Sequence, residues 1–304
     1  MIYSFLCATL WASTGIFVKF IDGLDVTQII WGRFFIALIL CLILIKSGLR
    51  AKQFILHKHP LTEHLLSCMM TGYYFFATFA FIYCPVAMAA LIIALSPLFT
   101  FSFRLVIERV FSYYEVIGFI IAFLGLSLYF SSKDYISSDY SLQHIYIGAS
   151  FAVGAAFLKA TFSYFLRKKV LKGDAVDSSF ININTLTLGV LFLGLYLIFT
   201  ESSFELSLNN SYYLLGLGVV ATFIPNQLNT MSSMKLNPTI HNIIGMSTPI
   251  SASLLGWIFL DEKQDIFSLC AMFITVIGIF LSMQTGSKNI KVRGTSQNNN
   301  SDYK

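Results

Sequence analysis

Ten long apolar runs constrain this chain more than any other feature of its sequence. Each run approaches the roughly 20 residues with which an α-helix, rising about 1.5 Å per residue, crosses some 30 Å of hydrocarbon. The runs are continuously apolar, whereas strands of a membrane β-barrel alternate apolar and polar residues. We therefore predict an all-α polytopic membrane protein with ten transmembrane helices at residues 3–20, 28–45, 62–83, 86–107, 114–131, 144–166, 179–199, 212–234, 238–260 and 266–283.

The composition excludes an ordinary soluble domain. The chain is 56% hydrophobic and only 12% charged, about half the charge of a typical soluble protein. Its first apolar run has no Lys or Arg before Lys19 and no small-residue cleavage site after it, which favours a first helix over a cleaved signal peptide. The five cysteines have no metal-ligand spacing. We expect them to be packing residues, and we expect no metal and no cofactor.

The positive charges predict the topology. If both termini lie in the cytoplasm, fourteen Lys and Arg residues fall on that side and three on the other. The fourteen are Lys46, Arg50, Lys52, Lys58, Arg109, Arg167, Lys168, Lys169, Lys172, Lys235, Lys288, Lys291, Arg293 and Lys304; the three are Lys19, Lys133 and Lys263. The positive-inside rule then places both termini in the cytoplasm, and we expect the bacterial inner membrane. Because loop asymmetry accounts for the net charge of +5, no nucleic-acid partner is expected.

The two halves of the chain repeat one motif. Ser96-Pro97 lies inside one apolar run and Thr248-Pro249 inside another, 152 residues later. Five helices per half give the halves opposite orientations, so the pattern predicts an inverted repeat. The predicted units are a first repeat at 1–131, a polar loop at 132–142, a second repeat at 143–284 and a basic, disordered tail at 285–304.

No Asp or Glu lies near the middle of any predicted helix, so the buried ionisable groups are Arg33, Lys159 and His241. Lys159 is too deep for its ammonium to reach water easily and needs a partner: backbone carbonyls, a loop acid, water, or a substrate carboxylate or phosphate. Arg33 lies nearer a helix end, which favours snorkelling or a bond to a loop acid. His241 follows Asn237-Pro238, the expected start of the ninth helix. It is either an interfacial polar residue at the cytoplasmic mouth or a proton-coupling group.

Pro97 and Pro249 lie near mid-helix, where proline removes a helical hydrogen bond and kinks the helix. Each kink releases a backbone carbonyl, which neighbouring Ser and Thr side chains or a ligand can satisfy. A single kink would be only structural, but two at repeat-equivalent positions indicate a shared pathway. Further polar and aromatic groups lie at mid-helix, and together they indicate an internal cavity. The predicted substrate-binding residues are Trp11, Tyr73, Tyr74, Ser96, Lys159, Asn226, Gln227 and Thr248.

The pattern resembles the drug/metabolite transporter superfamily, EamA type. The resemblance spans residues 1 to about 284, and its most specific part is the second-half motif from Pro249 to the acidic turn. The first half departs from it, with Glu108 two residues early. The residues that carry the resemblance are Trp11 to Gly15, Lys19, Arg33, Ala87 to Ala90, Ser96-Pro97, Thr248-Pro249, Gly256 to Glu262 and Gly278. It implies ten helices in two inverted repeats and a carrier for small metabolites that works by alternating access.

We therefore predict a secondary transporter of an amino-acid-like or carboxylate-bearing metabolite, since a cavity with Lys159 and no buried acid suits an anionic or zwitterionic ligand. A multidrug exporter of the same fold is the alternative, and a non-transporting membrane scaffold is a remote one. No catalytic motif is present, so no enzyme activity is expected. The expected partners are a small-molecule substrate and the lipid bilayer. Substrate identity, transport direction, coupling ion and oligomeric state do not follow from the sequence.

Overall fold

The computed structural model describes residues 2–46, 61–109, 113–131, 140–200, 207–235, 244–245, 247–261 and 265–281. These residues are nearly all helical and contain no strand. Six of the described helices are long and apolar enough to cross a bilayer, and three shorter apolar helices accompany them. The all-α polytopic fold class is therefore confirmed.

The longer helices of the described residues follow in chain order. The first five are α1 (Ile2–Ala12 and Thr14–Phe20), α2 (Val26–Lys46), α3 (Leu61–Tyr83), α4 (Val86–Ile93, Ser96–Phe103 and a π-helical turn at Arg104–Glu108) and α5 (Tyr113–Ser131). The second five are α6 (Leu142–Leu171), α7 (Ser178–Phe199), α8 (Leu208–Gly218, a π-helical turn at Val219–Phe223, and Ile224–Lys235), α9 (Ser247–Leu260) and α10 (Ile266–Leu281). The predicted start of the ninth helix at Asn237-Pro238 lies outside the described residues.

Side-chain caps fix several helix starts that hydropathy places less well. The Ser141 hydroxyl accepts from the His144 backbone N–H at 3.2 Å at the start of α6. Asp177 accepts from the Ser179 N–H at 2.9 Å at the start of α7. Ser207 starts α8 four residues before the predicted start, by accepting from the Asn210 N–H at 3.1 Å. Each cap satisfies an N–H that the first helical turn leaves without a partner.

The helices of the two halves pack on each other in a symmetric pattern. Helix α1 packs on α8 and α3 packs on α6, two contacts that exchange when the repeats exchange. Helices α2 with α7, and α4 with α9, form contacts that map onto themselves. At the crossing of α5 and α10, Gly125 faces Thr275 and Gly278 faces the Ala122 backbone. The repeated glycine therefore allows close approach of these two helices, and the pairing matches two inverted five-helix repeats.

Helices α3 and α6 join the two halves of the chain, and we call their contact the α3–α6 seam. At one end of the α3–α6 contact, Gly148 lies against Cys84, and in the middle Gly154 lies against the Phe76 ring. At the other end, the ammonium of Lys169 donates to the carboxylate of Glu63 at 2.9 Å. The Glu63 side chain is fully buried. This ion pair lies far from the centre of the bundle, so it holds α3 against α6.

The repeat also shows in the backbone at the ends of α4 and α9. Arg109 ends α4 with a φ of 54°, and Asp261 follows α9 with a φ of 51°. These left-handed residues are 152 positions apart, as are Pro97 and Pro249. The structural repeat therefore aligns Arg109 with Asp261, and Glu108 of the first half matches Leu260 rather than an acidic residue. Glu108 therefore has no acidic counterpart at the equivalent position of the second half.

Replacing Arg109 with glycine should stabilise the protein by about 0.5–1 kcal/mol, because glycine adopts the left-handed conformation without the steric cost that a side chain carries there. The same change at Asp261 should gain less, since aspartate tolerates this conformation better. Denaturation of the purified variants in detergent measures both effects. A clear destabilisation by Arg109→Gly would mean that the Arg109 side chain contributes more than its backbone conformation costs.

Candidate functional site

A cavity lies at the centre of the bundle, between the two halves. Helices α1, α2, α3 and α4 of the first half and α6 and α9 of the second half contribute to its wall. The cavity has about 20 Å³ of room for the centres of water molecules, which is space for about one or two waters. In this conformation the space among the described lining residues is therefore small.

Lys159, on α6, is the cation that the second half of the chain contributes to the cavity wall. Its side chain is partly buried, and its ammonium lies 5.0 Å from the centre of the Trp11 ring. No carboxylate lies among the described residues that line the cavity. The sequence left four possible partners open for Lys159. One of them, a loop acid, is not among the described residues that line the cavity. The aromatic ring attracts the charge but cannot accept a charge-assisted hydrogen bond from it.

Three aromatic side chains form one side of the cavity. Trp11 packs against Tyr73 with ring centroids 5.9 Å apart, and Tyr73 against Tyr74 at 5.3 Å. Tyr74 is 1% exposed and Trp11 is 7% exposed. Neither the indole N–H of Trp11 nor the hydroxyl of Tyr74 has a hydrogen-bond partner among the described residues. These three predicted residues therefore lie together beside Lys159, with polar atoms available to a ligand.

Arg33 also lines the cavity, and the prediction that it snorkels outward or binds a loop acid is wrong. The side chain is 1% exposed. Its Nε and Nη1 donate to the hydroxyls of Thr222 and Thr78, both at 2.9 Å, and its Nη2 donates to the carbonyl of Ala221 at 3.3 Å. The guanidinium also lies over the Tyr74 ring, 5.1 Å from its centre. Arg33 thus stays buried because neutral acceptors on α3 and α8 satisfy it.

Arg33 was not predicted to line the cavity, because the position of a residue along its helix does not show which groups of other helices face it. Its acceptors come from residues 45 and 189 positions away in the chain. The Thr222 acceptor lies in the π-helical turn of α8, which the sequence did not predict. The sequence did contain a signal for this contact. Pro225 has no N–H, so it leaves the carbonyl of Ala221, four residues earlier, free to accept from another donor.

Thr248 lines the cavity from α9, close to Pro249. Its hydroxyl is buried and has no hydrogen-bond partner among the described residues. Thr14 of α1 adds another hydroxyl to the wall. The structure therefore brings together five of the predicted substrate-binding residues: Trp11, Tyr73, Tyr74, Lys159 and Thr248.

The other predicted residues lie elsewhere. Ser96 is buried in α4 but does not line the cavity, and Asn226 and Gln227 of α8 also lie outside its wall. The Gln227 amide oxygen accepts from Asn182 of α7 at 3.2 Å, and Asn182 in turn accepts from the Thr230 hydroxyl at 2.8 Å. These contacts form a polar network between α7 and α8. His241 lies outside the described residues.

Both prolines lie within the first turn of a helical segment beside the cavity. In α4 the helix stops at Ile93 and resumes at Ser96, with Pro97 in the first turn of the new segment. Ile93, four residues before Pro97, and Gly245, four residues before Pro249, both line the cavity. The Ser102 and Ser247 hydroxyls bond to the carbonyls of Leu98 and Ile244 instead. The residues four positions before the two prolines therefore line the same central space.

A helical bundle of two symmetric halves around a central cavity with buried cationic and hydroxyl groups on its wall defines a polytopic membrane protein of the transporter class. Comparison with family models identifies the particular family. The EamA-like transporter family matches residues 1–131 and 146–284. The chain belongs to this family of small-molecule membrane transporters, which confirms the resemblance drawn from its sequence.

A search of solved structures agrees on the fold. One crystal structure, described only as that of a protein, superposes with a TM-score of 0.70 at 14% sequence identity. The superposition covers 95% of this chain and 97% of the other. Because the identity is low, this similarity shows the fold alone. A search of curated proteins found no match.

Proposed function

We propose that this protein is a secondary transporter that moves an amino-acid-like or carboxylate-bearing metabolite across the bacterial cytoplasmic membrane by alternating access, with both termini in the cytoplasm. The observation that carries the proposal is Lys159, an ammonium in the central cavity with an aromatic neighbour and no carboxylate on the described cavity wall. A cation held partly away from water needs partners to be stable. A substrate carboxylate supplies the missing charge and accepts the hydrogen bonds that Trp11 cannot.

The mechanism follows from the small size of the central space. With space for about one or two waters, the cavity must widen toward one side of the membrane before a metabolite reaches Lys159. The carboxylate then replaces water at the ammonium, where a charge-assisted hydrogen bond is stronger than in bulk water. Helices related by the repeat next close behind it and open on the other side, which the pseudo-twofold pairing of α1 with α8 and of α3 with α6 supports.

A multidrug exporter is the second candidate, and the aromatic side formed by Trp11, Tyr73 and Tyr74 favours it. Aromatic faces bind lipophilic cations well. The charges on the wall oppose this function, because Lys159 and Arg33 both repel a cationic drug. The carboxylate-bearing substrate is therefore the better account of the cavity as a whole.

Thermal-shift screening of the purified protein against a metabolite library tests the proposal. Carboxylate-bearing metabolites should raise the unfolding temperature, because a ligand that binds only the folded state stabilises it by about 2.7 kcal/mol at 100 times its dissociation constant. Lipophilic cations serve as the comparison set. Stabilisation by the cations alone would contradict the proposal and favour the multidrug exporter.

A further inference from the structure

We propose that a groove between α9 and α10 binds an acyl chain of a membrane phospholipid, and that the bound chain supports α9 from the side opposite the central cavity. Such a site goes beyond the proposed function and does not depend on which substrate is transported. Three features support it: the shape and chemistry of the groove, its place within one leaflet of the bilayer, and its difference from the equivalent place in the first repeat.

The groove among the described residues is apolar and has a volume of about 320 Å³. Helix α9 lines it with four residues of one helical face, from Ile250 to Trp257, and α10 lines it with three, from Leu269 to Phe273. Six of these seven side chains are apolar, and Ser253 is the exception. Ser253 and Met272 are buried and form the floor of the groove, whereas the other five are exposed and form its rim.

Hydrocarbon is the occupant that this groove fits. The rim belongs to the outer surface of membrane-crossing helices, so lipid tails and not water lie against it. Lipid tails are as apolar as the groove, and van der Waals contact is therefore what distinguishes one place on this surface from another. A chain in the groove makes contacts on several sides, whereas a chain on a flat helix face makes them on one side.

The groove has the direction of a lipid chain within one leaflet. Ile250 follows Pro249 directly, and Trp257 lies in the last turn of α9, which ends at Leu260. The seven residues between these two points span about 10 Å of helix, less than half of the roughly 30 Å of hydrocarbon in a bilayer. Tryptophan is common at the level of the lipid head groups. The groove thus runs from that level toward the middle of the bilayer.

The internal repeat shows what opens the space. Pro97 and Pro249 are 152 residues apart, and the same separation matches Ser253 with Phe101. The first half therefore has a phenyl ring where the second half has one of the smallest side chains. Because Ser253 forms the floor of the groove, its small size leaves room for a chain, and phenylalanine at this position would fill that room.

The groove and the central cavity lie on opposite sides of α9. Thr248 lines the cavity, and Ile250 lines the groove. Side chains two residues apart on an α-helix point in nearly opposite directions. A chain in the groove therefore packs against the back of the cavity wall to which Thr248 belongs, and its presence should stabilise the protein.

Fluorescence quenching by a brominated lipid tests the site. Trp257 is 60% exposed and lines the groove, so its emission reports a chain bound there. The purified protein in detergent is titrated with phosphatidylcholine that carries dibrominated stearoyl chains. Quenching should saturate at about one lipid per protein, as expected for one site. The saturable part should be absent from Trp257→Phe, which keeps only the tryptophans at 11 and 31.

Two phenylalanine variants locate the effect. Ser253→Phe copies the residue of the first repeat, fills the groove, and should raise the lipid concentration at half-saturation at least about tenfold. Ile277→Phe is the matched control, because it adds the same ring at an exposed position of α10 outside the groove, and it should leave the titration unchanged.

Thermal unfolding gives a second readout that does not depend on Trp257. The unbrominated lipid should raise the unfolding temperature of the unaltered protein and of Ile277→Phe, but not that of Ser253→Phe. Without lipid, Ser253→Phe should unfold at or above the temperature of the unaltered protein, because its ring supplies the contacts that the acyl chain makes. If Ser253→Phe does not fold, Ser253→Leu replaces it, with the same expected directions.

Three results would overturn the lipid site. One is quenching that rises in proportion to added lipid without saturation, which is ordinary contact with the bilayer. Another is the same half-saturation and the same lipid-induced stabilisation in Ser253→Phe as in the unaltered protein. The third is a dimer of the unaltered protein in detergent that Ser253→Phe converts to a monomer, since a second copy of the chain then occupies the groove. All three leave the proposal for Lys159 and its substrate unchanged.

Discussion

Replacing Lys159 with glutamine should weaken binding of the best carboxylate ligand by about 10- to 100-fold, the range expected when a hydrogen bond to a charged group is lost. The substitution keeps a polar side chain of similar length at the same place in the cavity but removes the positive charge. Titration of the purified protein with the ligand found by thermal-shift screening measures the change.

Folding should not suffer in this variant. Lys159 has no carboxylate partner on the described wall, so its removal relieves the cost of a partly buried charge, and the unfolding temperature without ligand should stay constant or rise. Lys172→Gln is the matched control, because Lys172 is exposed just beyond the end of α6. An affinity loss of equal size in both variants would show that the effect is general and not due to the cavity.

Replacing Lys169 with methionine should destabilise the protein by about 3 kcal/mol. The change removes the cation 2.9 Å from the fully buried Glu63 and leaves that carboxylate in a dry site at the end of the α3–α6 seam. Thermal unfolding in detergent measures the loss. The double variant Glu63→Gln with Lys169→Met should recover most of it, because a neutral amide has no buried charge to compensate.

The control for Lys169→Met is a change at a nearby exposed lysine. Lys172→Met changes an exposed lysine of the same region and should alter stability by less than about 0.5 kcal/mol. If Lys169→Met is as stable as Lys172→Met, the ion pair contributes nothing and the seam depends on the glycine and aromatic contacts of α3 and α6.

The sequence predicted the fold well because its main signals are local. Apolar length placed the helices, and the prolines at 97 and 249 located the repeat, which the left-handed residues at 109 and 261 then matched at the same separation. Interruptions within helices were harder to predict. The π-helical turn of α8 depends on tertiary contacts, since Thr222 in that turn accepts from Arg33 of another helix.

The site was predicted only in part, because depth in the membrane does not specify which way a side chain faces. Tyr73, Tyr74 and Lys159 lie at the depth of the cavity and also line it. Asn226 and Gln227 were expected to face the same space but lie outside its wall, and Gln227 bonds to Asn182. The first half also contributes Arg33 and the aromatic side to the wall.

Counterflow in sealed liposomes tests the central claim most directly, because it separates transport from binding. Liposomes that contain the protein and unlabelled ligand from the screen are diluted into a trace of labelled ligand. We expect the label to accumulate transiently with the unaltered protein and with Lys172→Gln, and not with Lys159→Gln. Accumulation with Lys159→Gln equal to that of the unaltered protein would contradict the claim that Lys159 binds the transported substrate.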